Sequence, residues 1–309
     1  MLCLIVNPAS GGGGTMRALP AVEAALRRQG CEYHLEVSSS LAHAGVLARA
    51  AAAAGELPVA FGGDGLVAAV AGATRERGAE AGAARGRGAV IGVLPGGRGN
   101  DLARCLGLPL DPVGATALLA TGEPRWIDMG LVGERAFLGI ASCGFDSEAN
   151  RIANRTRWLH GRLVYAYAGV RALARWRPAG FTVVADGTRR ELFGYTVAVA
   201  NSRMHGGGML LAPAASLDDG CFDVVMIAAV GKLRFLRLLP GVYRGAHVEA
   251  EEVTVLRART VELAAERPFT LFADGEELAT LPVTVRILPS AVGIMAPAAR
   301  IPDRSETRR

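Results

Sequence analysis

Pro58-Val59-Ala60-Phe61-Gly62-Gly63-Asp64-Gly65-Leu66 decides the architecture. Four residues, mostly apolar and sized for a short strand, run into three glycines and one carboxylate. An Ala/Val-rich stretch of helical composition follows. Glycine lets backbone approach a ligand closely, and a helix opening behind it supplies unpaired N–H groups. A strand, a glycine-rich turn and a helix N-terminus together form an anion site, commonly for phosphate. Asp64 has an obvious use beside such a site, as an oxygen ligand for Mg²⁺. Gly-Asp-Gly also makes ordinary turns, so this stretch gains weight only from its company.

Two further loops supply that company. Residues 2–6, 33–37, 59–61 and 90–94 are short apolar runs with β-branched content. Residues 16–28, 44–54 and 67–77 between them have helical composition. Strands alternating with helices predict a parallel sheet with right-handed crossovers over residues 1–125. Glycine-rich turns follow three of the strands, at residues 11–14, 62–65 and 96–99. In an open α/β sheet that edge is where ligands bind.

Composition narrows the classes. A chain of 309 residues suits two domains better than one. No apolar run approaches a membrane span, and the start, with no basic region and a break at Pro8, does not read as a signal peptide. The five cysteines, at 3, 31, 105, 143 and 221, are scattered without metal-ligand spacing, which fits a reduced, cytoplasmic interior. Net charge is +5, and Lys232 is the single lysine. Because Leu233 follows it, a P-loop of Gly-Lys-Ser/Thr type is excluded, and a kinase strand lysine paired with a helix glutamate is disfavoured. Nucleotide phosphates would have to be held by backbone amides, metal and arginine.

After Pro124 the character changes. Strand-like runs follow closely at 126–131, 136–141, 181–185, 195–200, 222–227, 253–255, 261–263, 269–272 and 283–287, with two helical interruptions. This predicts a second, largely antiparallel β-sandwich domain over residues 126–297. Residues 75–88 read as a flexible Ala/Gly/Arg-rich insertion and 298–309 as a disordered tail.

Several loops carry candidate chemistry. Asn7-Pro8-Ala9-Ser10-Gly11-Gly12 leaves the first strand with a stiff Pro8, a hydroxyl at Ser10 and a tight turn at Gly11. Pro95-Gly96-Gly97-Arg98-Gly99-Asn100-Asp101 offers Asn100 or Asp101 as a helix cap, and Arg98 as a phosphate partner. Asp274-Gly275 between strand-like runs is a hairpin signal, and such a turn can present Glu276 to a cleft. Leu217-Asp218-Asp219-Gly220 suits a turn, or a hard cation held by oxygen ligands.

In order and spacing these motifs resemble the diacylglycerol kinase catalytic-domain family of lipid kinases, with its soluble bacterial members and the sphingosine and ceramide kinases. The resemblance runs from Asn7 to about Pro297 and includes Ile127-Asp128-Met129-Gly130. It implies ATP between the two domains and phosphoryl transfer to a lipid hydroxyl, diacylglycerol being the leading acceptor. Transfer of this kind is mostly positioning and charge neutralisation. On this resemblance Asp64 acts through Mg²⁺, and Glu276 is the general base. Asn7, Ser10, Gly11, Ser38, Gly62, Gly63, Asp64, Gly65, Gly97, Arg98, Asn100 and Asp101 hold the nucleotide. A structural Mg²⁺ sits at Asp219, with main-chain oxygens near Ser216 and Cys221.

The chain departs from the family pattern at Leu66, where threonine is usual, at Ala68-Ala69 in place of Asn-Glu, and at Arg98 in place of threonine. From Arg151 to Arg177 it has seven arginines, Trp158, Tyr165, Tyr167, Trp176 and no acidic residue. Such a stretch is either a packing helix with a solvated basic face or a peripheral contact with the inner face of a membrane. Residues 232–247 read as a second helix with apolar excess. Nucleic acid competes for a basic surface but is not expected here. A homodimer stays open, since no segment reads as an interface. Alternatives are transfer to another lipid, transfer to a soluble, NAD-like acceptor, and a nucleotide sensor without catalysis.

Overall fold

The computed structural model describes residues 1–80, 89–156, 159 and 162–298. Most of the Ala/Gly/Arg-rich segment, Trp158, His160 and nearly all of the polar tail lie outside them.

The N-terminal half alternates β1 (Leu2–Val6), α1 (Gly14–Arg28), β2 (Tyr33–Val37), α2 (Leu41–Ala53), β3 (Leu57–Gly62), α3 (Asp64–Glu80), β4 (Val90–Pro95) and α4 (Asp101–Leu106). All four strands are parallel, in the order β2-β1-β3-β4. Alternate residues of β1 face opposite sides of the sheet. Leu4 and Val6 pack with Leu19, Val22 and Leu26 of α1, whereas Cys3 and Ile5 pack with Ala44, Ala48 and Ala51 of α2. Each fully buried Leu- or Ile-sized side chain contributes about 1.5–3 kcal/mol. Strand order reverses at β1, so the loops leaving β1 and β3 flank the crevice of a doubly wound sheet.

Two short helices, α5 (Pro112–Ala115) and α6 (Ala117–Thr121), lead into the second half. It comprises β5 (Glu123–Val132), β6 (Arg135–Phe137), β7 (Ile140–Gly144), α7 (Phe145–Arg155), α8 (Arg162–Arg175), β8 (Ala179–Ala185), β9 (Thr188–Ala200), β10 (Phe222–Ala228), α9 (Lys232–Val242), β11 (Val253–Ala258), β12 (Thr260–Ala265), β13 (Thr270–Ala273), β14 (Glu276–Thr280) and β15 (Val283–Ala296). Its strands pair antiparallel throughout, apart from the junction of β15 with β4. The predicted α/β half followed by a mostly antiparallel β-sandwich is the observed architecture.

Three local differences have physical causes. The run at 136–141 is two strands, broken where the Leu138 and Gly139 amides donate to the Asp274 carboxylate at 2.8 and 2.9 Å. The basic stretch from Arg151 is not one helix. It begins inside α7, which ends at Arg155, and α8 starts at Arg162. The final strand runs on past residue 287. Ser290 takes φ 50°, the register shifts between Leu288 and Val292, and Gly293 and Ile294 then pair in parallel with β4. One strand therefore ties the sandwich to the N-terminal sheet and fixes the mouth between them.

Candidate active site

The three glycine loops meet at that mouth. A Cβ at Gly97 would lie 2.5 Å from the Gly63 Cα, and one at Gly11, whose φ is 59°, would lie 2.6 Å from the Gly96 carbonyl oxygen. Only glycine allows three loops to stack backbone on backbone here. The Gly96 amide donates to the Gly62 carbonyl at 2.7 Å. Together with the Asp274 turn and one face of α7 the loops enclose a cleft of about 880 Å³.

Carboxylates brace its walls. Asp64 accepts the Asp101 amide at 3.1 Å and the Leu102 amide at 3.0 Å, and so caps the opening of α4 from another loop. Asp101 accepts the Gly207 amide at 3.0 Å and the Gly208 amide at 2.7 Å, reaching into the sandwich. Asp274, at φ 52°, holds the β6–β7 turn as described above. Among the described residues none of the three has an ion-pair partner. Burial first, then the charge of Asp101, raises the Asp64 carboxyl to about 6. Asp274 is pushed up to about 7, by burial first and then by Asp64 and Asp101.

Glu276 stands exposed at the rim beside this group. A Cβ on Gly65 would lie 2.9 Å from its Cγ, so the second glycine loop and Glu276 touch across the cleft. Its carboxyl is raised by partial desolvation, with Glu277 adding to the shift and Arg135 opposing it.

Asn7, Ser10, Gly11, Gly63, Asp64, Gly65, Arg98, Asp101 and Glu276 all border the cleft. Gly62, Gly97 and Asn100 shape its glycine loops from behind: Asn100, at φ 52°, accepts the Gly97 amide at 2.8 Å through its side chain. Ser38 is not brought there. It is buried, and its hydroxyl donates to the Val6 carbonyl at 3.0 Å, anchoring the end of β2. Arg98 reaches the cleft wall, but its Nη1 lies 3.4 Å from the Ala153 and Thr156 carbonyls at the end of α7. The guanidinium thus answers the negative end of that helix. Leu66 is buried and fills the space over Gly62, where the family's threonine would stand.

The Asp219 loop lies elsewhere. The Asp219 carboxylate accepts the Cys221 amide at 3.1 Å and pairs closely with Arg257, which also faces Asp223 at 3.7 Å. The Ser216 hydroxyl donates to Asp218 at 2.6 Å. Each Asp219 oxygen thus accepts one hydrogen bond from the chain, and a cation at this loop would share the carboxylate with Arg257.

Residues that the sequence did not single out complete the cleft. Asn150 and Asn154 of α7 and His205 line its sandwich side. The Asn154 side chain donates to the Gly275 carbonyl at 2.8 Å, and Asn150 lies 3.5 Å from the His205 Nε2. Asp146 below them has a buried Oδ2 with no hydrogen-bond partner among the described residues. Helical spacing of 150 and 154 on α7 was the available signal, hidden because that helix starts earlier than its basic run suggests.

Comparison with known proteins now bears on this cleft. Residues 1–132 match the model of the diacylglycerol kinase catalytic domain, and residues 139–296 match that of the YegS C-terminal NAD kinase beta sandwich-like domain. The chain belongs to the diacylglycerol kinase catalytic-domain family. Among its relatives in this family, a diacylglycerol kinase of Mycobacterium tuberculosis (strain ATCC 25618 / H37Rv) is 34% identical over 302 residues, covering 95% of this chain and 94% of that one. A probable lipid kinase YegS-like protein of Chromohalobacter salexigens is 30% identical over 254 residues, covering 81% and 79%. A crystal structure of a putative diacylglycerol kinase from Bacillus anthracis str. Sterne superposes with a TM-score of 0.78 at 22% identity, covering 96% and 95%, and shows the shared fold. The chain is thus a member of a lipid kinase family, and no described helix is long and apolar enough to cross a membrane.

Proposed function

We propose that this lipid kinase family member transfers the γ-phosphate of Mg-ATP to a lipid hydroxyl, with diacylglycerol as acceptor and phosphatidic acid as product. The observation that carries the reading is the cluster of Asp64, Asp101 and Asp274, without an ion-pair partner among the described residues, beside three stacked glycine loops, with Glu276 in contact with the second loop. Residues 1–125 would bind nucleotide and 126–297 the lipid.

An all-oxygen donor set with unneutralised charge fits Mg²⁺. Each carboxylate has about four acceptor positions, so those accepting two amides keep lone pairs free. Asp64 and Asp101 would hold the ion, which when bound neutralises phosphate charge. The amides of Gly11, Gly12, Gly63, Asp64 and Gly65, whose residues border the cleft, would supply phosphate donors that need no lysine. Arg98 acts at one remove: by capping α7 it fixes the wall that carries Asn150 and Asn154. Those amides and His205 offer hydrogen bonds to a polar acceptor head on the Glu276 side. Glu276, its carboxyl raised by partial desolvation, takes the hydroxyl proton as the acceptor oxygen attacks. The contact between Glu276 and Gly65 of the second glycine loop supports this role.

The acceptor must leave a bilayer. Leu163 and Val170 of α8, Leu233 of α9 and Phe193 are each at least 60% exposed. The Lys232 ammonium donates to the Ala174 carbonyl at 2.8 Å, joining the start of α9 to the end of α8. Apolar side chains flanked by Arg171, Arg175 and Arg237 suit peripheral contact with an anionic membrane face.

The test is transfer of labelled γ-phosphate to diacylglycerol, monoacylglycerol, ceramide, sphingosine and undecaprenol in mixed micelles, with NAD as a soluble control. Glu276→Gln is run beside the wild type. Labelled diacylglycerol product, reduced about 10²–10⁴-fold by the substitution with ATP binding intact, is the expected result. Binding of ATP without transfer to any acceptor would favour the sensor reading instead.

A further inference from the structure

A second cluster of chemically diverse ligands lies at the other end of the N-terminal sheet. Cys3 and His34 stand directly opposite each other across the β1–β2 ladder. Glu56 enters beside them just before β3, two residues ahead of Pro58, the β3 partner of Cys3. The Cys3 sulfur, a His34 ring nitrogen and a Glu56 carboxylate oxygen all lie within 4.8 Å of one another. Positions 3, 34 and 56 form no sequence motif; parallel pairing alone brings them together.

We propose that Cys3, His34 and Glu56 bind one divalent cation of the zinc class. Sulfur, imidazole and carboxylate are the three ligand types such an ion takes, with water completing a tetrahedron. Bond lengths near 2.0–2.3 Å put ligand atoms roughly 3.3–3.7 Å apart, so the thiol need close by no more than about an ångström while His34 and Glu56, 2.8 Å apart, open by about half of one. His34 is oriented for the task. Its Nε2 faces the Glu56 carboxylate at 2.8 Å, and its Nδ1 faces Glu36 at 3.9 Å. An ion between Nε2 and Glu56 would leave Nδ1–H to donate to Glu36, the carboxylate partner that metal-bound histidines commonly have. Cys3 is buried while His34 is 41% exposed on its side chain, which gives the ion an entry path and the thiol a dry seat.

The cluster sits at the N-terminal ends of the strands, whereas the glycine loops follow the C-terminal ends. On β1 three residues, Leu4 to Val6, lie between Cys3 and Asn7, roughly 13 Å of strand. The ion therefore acts as a clip holding β1, β2 and the entry to β3, and its binding is independent of the kinase reading.

The experiment uses the full chain, stripped by chelator under reducing conditions and titrated with Co²⁺ as the spectroscopic probe. The expected result is a near-ultraviolet thiolate-to-cobalt band and tetrahedral visible bands that saturate at one equivalent and are displaced by Zn²⁺. Cys3→Ser removes the charge-transfer band, and Cys31→Ser leaves it unchanged. His34→Gln, at a half-exposed position that tolerates the change, weakens binding at least tenfold, and Glu36→Gln weakens it about 10–100-fold. If Cys3→Ser fails to fold, His34→Gln and Glu56→Gln carry the test. Absence of the band in the wild type overturns the proposal, as does a band that persists in Cys3→Ser or an affinity unchanged by His34→Gln. Those outcomes would leave a buried cysteine beside a His–Glu hydrogen bond.

Discussion

The Asp64 loop and the Asp219 loop begin from the same ingredients, aspartate set against glycine beside a strand, after β3 in one case and before β10 in the other, and end with opposite electrostatics. At Asp219 arginine supplies the compensating charge: Arg257 faces both Asp219 and Asp223, and Arg125 lies 3.5 Å from Asp218. At Asp64 no arginine forms an ion pair among the described residues, Arg98 being turned to the end of α7. Three carboxylates gather with backbone amides as their only hydrogen-bond partners among the described residues, and two of them are raised well above the ordinary range. Charge balanced within the chain holds a loop in place. Charge left unbalanced, in a cleft lined by glycine amides, is what a metal-bound polyphosphate can use.

The comparison breaks if the cleft carboxylates prove dispensable. Asp274→Ala would leave the Leu138 and Gly139 amides without their acceptor, at about 1–3 kcal/mol for each that stays buried. Urea titration should show a loss of about 2–4 kcal/mol; a loss near zero would mean that water or a neighbouring group replaces the carboxylate.

Stability against pH sharpens the contrast. The folded-state values of about 6 for Asp64 and about 7 for Asp274 lie above the unfolded value, so their contribution is favourable in acid and is lost as pH rises through the folded values. In chelating buffer the wild type should lose stability relative to Asp64→Asn as pH climbs from about 4 to about 7. A difference that is flat or rises with pH would mean the carboxylates are compensated by a charge not identified here.

The smallest effect is expected at the other loop. Arg257→Met removes a half-exposed cation from Asp219 and Asp223, and should cost about 1 kcal/mol in thermal unfolding. Phosphoryl transfer should stay near wild type. A large fall in transfer would tie this loop to the cleft and dissolve the contrast.

Much of this was legible in the sequence where local chemistry decides. Leu2–Val6 and Tyr33–Val37 appear at the expected bounds, because short β-branched runs between glycine turns have few alternatives. The three glycine loops converge as expected, since the crossover rule places them on one sheet edge. What stayed hidden depends on contacts between distant segments. Leu138-Gly139 looks like strand until the Asp274 carboxylate, 135 residues away, takes both amides. Ser38 follows a strand as the loop residues do, yet its hydroxyl is spent on Val6. Arg98 matches a phosphate ligand in sequence, and only the position of α7 turns its guanidinium toward helix carbonyls. Asn150, Asn154 and His205 belong to no motif; the fold alone sets them along one cleft wall.

Single-turnover transfer of labelled γ-phosphate from Mg-ATP to diacylglycerol in mixed micelles tests the account most directly, comparing wild type, Asp64→Asn and Arg257→Met. Unbalanced charge at Asp64 predicts labelled phosphatidic acid from the wild type and from Arg257→Met, with the rate falling at least about 10²-fold in Asp64→Asn. Transfer that survives in Asp64→Asn, or falls equally in both variants, would contradict it.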